Sequence, residues 1–184
     1  MTSENMSRLR TLDMTYIALF AVLMAVCAWI SIPIPMTVIS VTLQTFAIFA
    51  ALLTLGGRRG TYAVIVYLLL GMVGLPVFSG FQGGPGVLLG VTGGYIIGFI
   101  GTALVYWLLS SKLGESLPVS TLACVLGLAV CYAFGTVWFL KVYTSGPMDT
   151  ATALSKCVIP FIIPDLCKLA LAMLLSRRVK KFLK

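Results

Sequence analysis

The chain has 184 residues, 60% of them hydrophobic and only 10% charged, with a mean hydropathy of +1.08, far from the roughly half-apolar, quarter-charged composition of soluble domains. At about 20 residues per membrane-spanning helix, that length accommodates about six spans in a single domain and leaves no room for a second. The sequence contains no histidine and no Gly-Lys-Ser/Thr, which excludes serine-type triads, HExxH hydrolases, His-based metal sites and a P-loop of its own, so any ATP-driven work must come from another subunit.

Apolar runs at 12–31, 37–55, 60–75, 88–110, 119–141 and 155–176, each bounded by Pro, Gly or charge, predict an all-α integral membrane protein, with six transmembrane helices in one compact bundle formed by residues 1–184. The first run follows Arg8 and Arg10 but is as long as a span and lacks a small-residue cleavage site after it, so it is expected to remain as a helix. Within it Ala18, Ala21, Ala25 and Ala28 recur at spacings of three and four before Trp29. Such a stripe permits close helix approach, inside the bundle or against a partner. The segment 76–87 carries no ionisable side chain, and 11 of the 18 glycines fall between Gly71 and Gly101. It reads as an outer lid over a cavity, or else as a solvated connector. Gly90, Gly94, Gly98 and Thr102 make a second small stripe. The five cysteines, Cys27, Cys124, Cys131, Cys157 and Cys167, are odd in number and sit in apolar runs, so they read as small packing residues.

The basic residues set the orientation. With the N-terminus inside, the inner segments hold Arg8, Arg10, Arg58, Arg59, Lys112, Arg177, Arg178, Lys180, Lys181 and Lys184, and the outer ones only Lys141 and Lys156. Both termini are therefore expected in the cytoplasm, and the net charge of +8 reads as a topology and lipid-headgroup signal, not a nucleic-acid one.

Two charges remain deep in a span: Asp165 and Lys168, in Ile-Pro-Asp165-Leu-Cys-Lys168. At i and i+3 they share a helix face, and the cost of an ionisable residue in the membrane turns that face towards the bundle interior. The pair fits a ligand needing an acceptor and a cationic donor side by side; its alternative is an ion pair that fixes packing. Pro160 and Pro164 remove backbone donors just before it. Thr42, Gln44, Gln82, Thr92 and Tyr95 are the other polar groups of the outer half, a small set of the kind that equips an apolar cavity for a small molecule. Gln44 could equally join two helices, and Gln82 face water.

The stretches Ile32-Pro-Ile-Pro35, Val41-Thr-Leu-Gln44-Thr-Phe, Leu55-Gly-Gly-Arg-Arg-Gly60, Gly74-Leu-Pro-Val-Phe78, Gly83-Gly84, Thr92-Gly-Gly-Tyr95 and Pro164-Asp-Leu-Cys-Lys168, in this order, resemble the BioY family of biotin-binding S components of energy-coupling factor (ECF) transporters. The resemblance runs through about 32–168. It implies a multi-pass subunit of a prokaryotic plasma membrane that captures biotin from outside, with no cofactor, no metal and no catalytic residue. It also implies partners: a transmembrane coupling subunit, contacted by Ala21 and Ala25, and two ATPase subunits. Biotin's ureido ring offers N–H donors and a carbonyl, so Asp165 could accept from it while Lys168 or Gln82 donates. Gln44 and the loop glycines Gly83 and Gly84 would complete the site, with Phe78, Phe81 and Tyr95 walling the apolar part of the ligand. Two positions depart from the family pattern. Ile96 stands where some members carry a basic residue, and Gln82 where some carry Asn. The competing functions are a stand-alone secondary transporter, an S component for another vitamin and an intramembrane enzyme. The last lacks a nucleophile beside a base, and the first would be expected to show inverted repeats.

Overall fold

A computed structural model describes residues 11–33, 39–143 and 149–182. Arg8, Arg10, Lys184 and the second proline of the Ile-Pro-Ile-Pro stretch lie outside the described residues, as does part of the outer connection at 142–154. Helix α1 (Thr11–Trp29) leads into a two-residue strand, β1 (Ser31–Ile32), paired antiparallel with β2 (Val41–Thr42). There follow α2 (Gln44–Met72), α3 (Pro85–Leu89), α4 (Gly93–Leu113), α5 (Leu117–Val142), α6 (Thr150–Cys157) and α7 (Ile159–Phe182).

The second and third apolar runs meet in α2, which is broken at Gly56 (φ 82°, ψ 170°), a conformation that glycine adopts at little cost. A Cβ at Gly60 would stand 2.9 Å from the Leu52 Cα, whereas eight residues along a straight helix span about 12 Å. The chain therefore doubles back, and α2 is a helical hairpin whose arms are 44–55 and 57–72. Residues 39–43, expected in the second span, are non-helical because Val41 and Thr42 pair with β1. The fourth span begins at Gly93 instead of 88, after the short α3. The sixth is divided at Val158 (φ −124°, ψ −57°), so that α7 starts later than the apolar run. Among the described residues, α1, α4, α5 and the stretch Thr150–Lys181 are long and apolar enough to cross a membrane.

The hairpin α2 is the centre of the bundle and packs on α1, α4 and α7, while α5 packs on α4. Its small residues Ala47, Ala50, Ala51 and Ala63 are buried with Tyr67, so the neighbouring helices approach closely. On α1, Ala21, Ala25 and Ala28 are buried with Met24 in this core, whereas Leu12, Met14, Leu19, Val22 and Val26 are exposed. Within the chain the stripe therefore packs inward, and of its four alanines only Ala18 lies on the exposed face. The second stripe is internal too. Gly94 lies against Trp138, Gly98 against Cys131 and Gly127 against Thr102, and Thr102 Oγ1 donates to the Gly127 carbonyl at 3.0 Å. Four cysteines are buried as expected, but Cys167 is exposed on α7. The outer faces of α1, α5 and α7 are apolar, with Leu126, Val130, Phe134, Ile163 and Leu174 exposed, as a lipid-facing surface requires.

One end of the bundle gathers the start of α1, the break in α2, the turn between α4 and α5 and the end of α7. Arg59 pairs there with Asp13 at 3.1 Å and Lys180 with Glu115 at 3.2 Å, and Glu115 also lies against Gly56. The opposite end carries the β1–β2 ribbon, the 76–92 loops and α6.

Candidate ligand-binding cavity

Asp165 and Lys168 project from the same face of α7 into the bundle, both buried, and the Lys168 Nζ lies 2.7 Å from Asp165 Oδ1. Two neighbouring elements fix the carboxylate. Thr45, in the first turn of α2, donates to Oδ1 at 2.8 Å and accepts from Lys168 Nζ at 3.2 Å. Tyr132 of α5 donates to Oδ2 at 2.6 Å. An ionised carboxylate offers about four acceptor positions and an ammonium three donors. Among the described residues, Oδ1 is saturated, Oδ2 retains one acceptor position and Nζ one N–H. The pair thus presents one acceptor beside one donor.

That edge faces a cavity of about 350 Å³, at the lower end of the range for small-molecule sites. Ile39, Ile96, Phe99 and Phe161 give it apolar walls, and Ser31, Ser40, Thr42, Ser79, Gln82 and Thr92 line it with hydroxyl and amide groups. Of the residues singled out from the sequence, Asp165, Lys168, Gln44, Gln82 and Tyr95 all reach the cavity. Gln44 also joins the arms of α2: its Nε2 donates to Tyr67 Oη at 2.6 Å, and that hydroxyl donates to the Val77 carbonyl at 3.0 Å. Tyr95 is held against α5 by a 3.1 Å hydrogen bond with Thr136.

The other four expected residues do not line the cavity. The Phe78 ring is buried edge-on to Tyr67 and fills the space that a side chain on Gly71 would occupy. Phe81 is exposed and stacks on Trp29 with ring centroids 4.9 Å apart. Gly83 is pressed against the Leu75 carbonyl, and Gly84 has a φ of 95°, so both serve the path of the backbone. The segment 76–87 is tied down at several points. Trp29 Nε1 donates to the Pro76 carbonyl at 2.8 Å, Phe78 N to the Gln82 carbonyl at 2.9 Å and Gly84 N to the Gly71 carbonyl at 2.7 Å. Ser79, Gly80 and Gln82 are its contribution to the cavity wall. Thr45 and Tyr132, the partners of Asp165, were not expected. A tyrosine hydroxyl in the middle of an apolar run is the signal that points to Tyr132, since it requires a polar partner there.

Over residues 1–184 the chain matches the model of the BioY family. It belongs to that family. Among its BioY relatives, the biotin transporter BioY of Thermotoga maritima is 44% identical over 163 residues, covering 89% of this chain and 92% of the relative. The probable biotin transporter BioY of Pyrococcus horikoshii is 35% identical over 171 residues, covering 91% and 96%. The crystal structure of the S-component for biotin from an ECF-type ABC transporter matches this BioY chain with a TM-score of 0.80 at 28% identity, over 92% of this chain and 91% of that one. The match spans helices and loops together, so this BioY chain has the S-component fold, in a family of transporters and not of enzymes.

Proposed function

We propose that this protein is the substrate-specific subunit that captures biotin at the outer side of a prokaryotic plasma membrane for ATP-driven uptake by an ECF transporter. The observation that carries the reading is the Asp165–Lys168 edge, with one acceptor and one donor side by side at the base of a mostly neutral cavity. A cyclic urea is a matching partner: one N–H donates to Asp165 Oδ2 and the carbonyl accepts from Lys168 Nζ. Ile96, Phe99 and Phe161 then cover the apolar ring fused to it, with Gln82 and the 76–87 segment closing the outer wall. In this reading both arms of α2 cross the membrane with α1, α4, α5 and α7, making six spans, and the excess of Lys and Arg at the Arg59–Lys180 end supports a cytoplasmic side for both termini. The chain has no P-loop, so energy comes from a transmembrane coupling subunit and two ATPase subunits that associate with it.

The test is ligand binding by the purified chain against a panel of vitamins. Saturable binding of biotin alone is the expected result. Binding of a different vitamin in place of biotin would make the chain an S component of another specificity. Uptake by the lone chain in liposomes under an ion gradient would make it a secondary transporter.

A further inference from the structure

A ligand with a urea at one end and a carboxylate at the other meets a cavity whose charge is confined to one place. Asp165 and Lys168 lie at its inner end: α7 starts at Ile159 on the outer side, and Lys168 sits about 13 Å further along the helix. Ser31, Ser40, Ser79 and Gln82 belong to the outer connections and form the rim. Among the described residues that line it, Lys168 is the only Lys or Arg, and it is already engaged by Asp165 and Thr45. The stretches 34–38 and 144–148, which flank the outer elements in sequence, read Ile-Pro-Met-Thr-Val and Thr-Ser-Gly-Pro-Met and contain no basic residue. The two other outer cations, Lys141 and Lys156, are exposed. Lys156 precedes the cavity-lining Cys157 on α6, which turns it about 100° away from that wall.

Charge decides which way round the ligand enters. The Asp165–Lys168 pair is neutral as a unit, so a carboxylate brought down to it would add an uncompensated negative charge next to Asp165, in a site withdrawn from water. The urea has no such cost. With the urea inside, the carboxylate ends at a rim of hydroxyl and amide groups, which hydrogen-bond an ester or amide carbonyl about as well as an acid.

We infer that this protein reads the urea end of its ligand and is indifferent to the charge of the tail, so that its substrate class includes neutral derivatives in which the carboxyl is esterified or amide-linked to a further group. The inference rests on the biotin reading above. It is tested with the full chain purified in detergent, by measuring affinity for biotin, its methyl ester, its primary amide and its amide with the lysine side chain. The three neutral-tail ligands should bind within about threefold of the free acid, because a neutral rim contact changes little between them. A charge-read carboxylate would make them about ten- to a hundredfold weaker, and a loss of that size overturns the inference. Lys156→Gln and Lys141→Gln should leave the affinity for acid and amide alike; a loss for the acid alone would identify the rim cation that binds the carboxylate and overturn it equally. Failure of all four ligands to bind would count against biotin itself, an outcome separate from weak binding of the neutral three.

Discussion

One end of the helical bundle and its buried interior both carry ion pairs, in opposite surroundings. At the end formed by the break in α2 and the end of α7, Arg59–Asp13 and Lys180–Glu115 are spaced at 3.1 and 3.2 Å, with three of the four side chains between 42% and 46% exposed. Inside the bundle, at the base of the cavity, Lys168–Asp165 is closer, at 2.7 Å, with its side chains 7% and 4% exposed. Exposed pairs contribute little, about 0 to 1 kcal/mol, because water and salt screen them and long side chains must be ordered. A buried pair costs several kcal/mol of desolvation per ion and often does no better than apolar residues of the same volume. The wet pairs join loops at little cost, whereas the dry pair is an expense that packing alone does not justify. The proposed recognition of a ligand does, because each ion keeps one hydrogen-bonding position towards the cavity.

The strongest way to break this contrast is Asp165→Asn, which replaces a charged acceptor by an amide that can turn an N–H₂ towards the ligand's own donors. Biotin affinity should fall by about 2 to 4 kcal/mol, read by calorimetry on the purified chain. The double variant Asp165→Leu with Lys168→Met then sharpens it. Binding should be lost while the melting temperature stays at or above that of the parent; a double variant that melts as early as Asp165→Asn would make the pair structural. Next in size is Gly83→Val, which drives a β-branched side chain into the Leu75 carbonyl and should cost about 2 to 3 kcal/mol of stability and weaken capture. Normal melting and binding would show that the 76–87 backbone path is not fixed by Gly83. Tyr132→Phe removes one of the three hydrogen bonds to Asp165 and should lower affinity by about 1 to 2 kcal/mol, roughly tenfold; an unchanged affinity would exclude Tyr132 from positioning the carboxylate. Smallest is Glu115→Gln, in the exposed pair with Lys180, expected to shift stability by less than about 0.5 kcal/mol and leave biotin binding as it was.

How much of this was legible in the sequence follows from how local each signal is. The apolar runs identify the helices because a span is a contiguous property. The break at Gly56 is written in Gly-Gly-Arg-Arg, where two charges interrupt the run. Asp165 and Lys168 stand out because a charge within a span is costly wherever it points. Contacts between distant segments are not local. Nothing near Phe78 in the sequence reveals that Gly71 leaves room for its ring, so an aromatic residue in an uncharged loop looks like a ligand wall. The Ala21–Ala25 spacing likewise permits close approach without naming the neighbour, and the neighbour is α2. Thr45 does not stand out beside Gln44, because a hydroxyl in a helical first turn is commonplace. Its importance appears only once α7 is packed alongside.

The hydrogen bonds that hold 76–87 to Trp29, Tyr67 and Gly71 have a thermodynamic consequence. Fixing the backbone of a loose residue costs about 1 to 2 kcal/mol of conformational entropy, so a ligand that had to order this whole segment would forfeit much of its interaction energy. Here that ordering is completed when the chain folds, and the wall contributed by Ser79, Gly80 and Gln82 stands before the ligand arrives. For the proposed ligand this means docking to a formed surface, without the entropy cost of folding a loop.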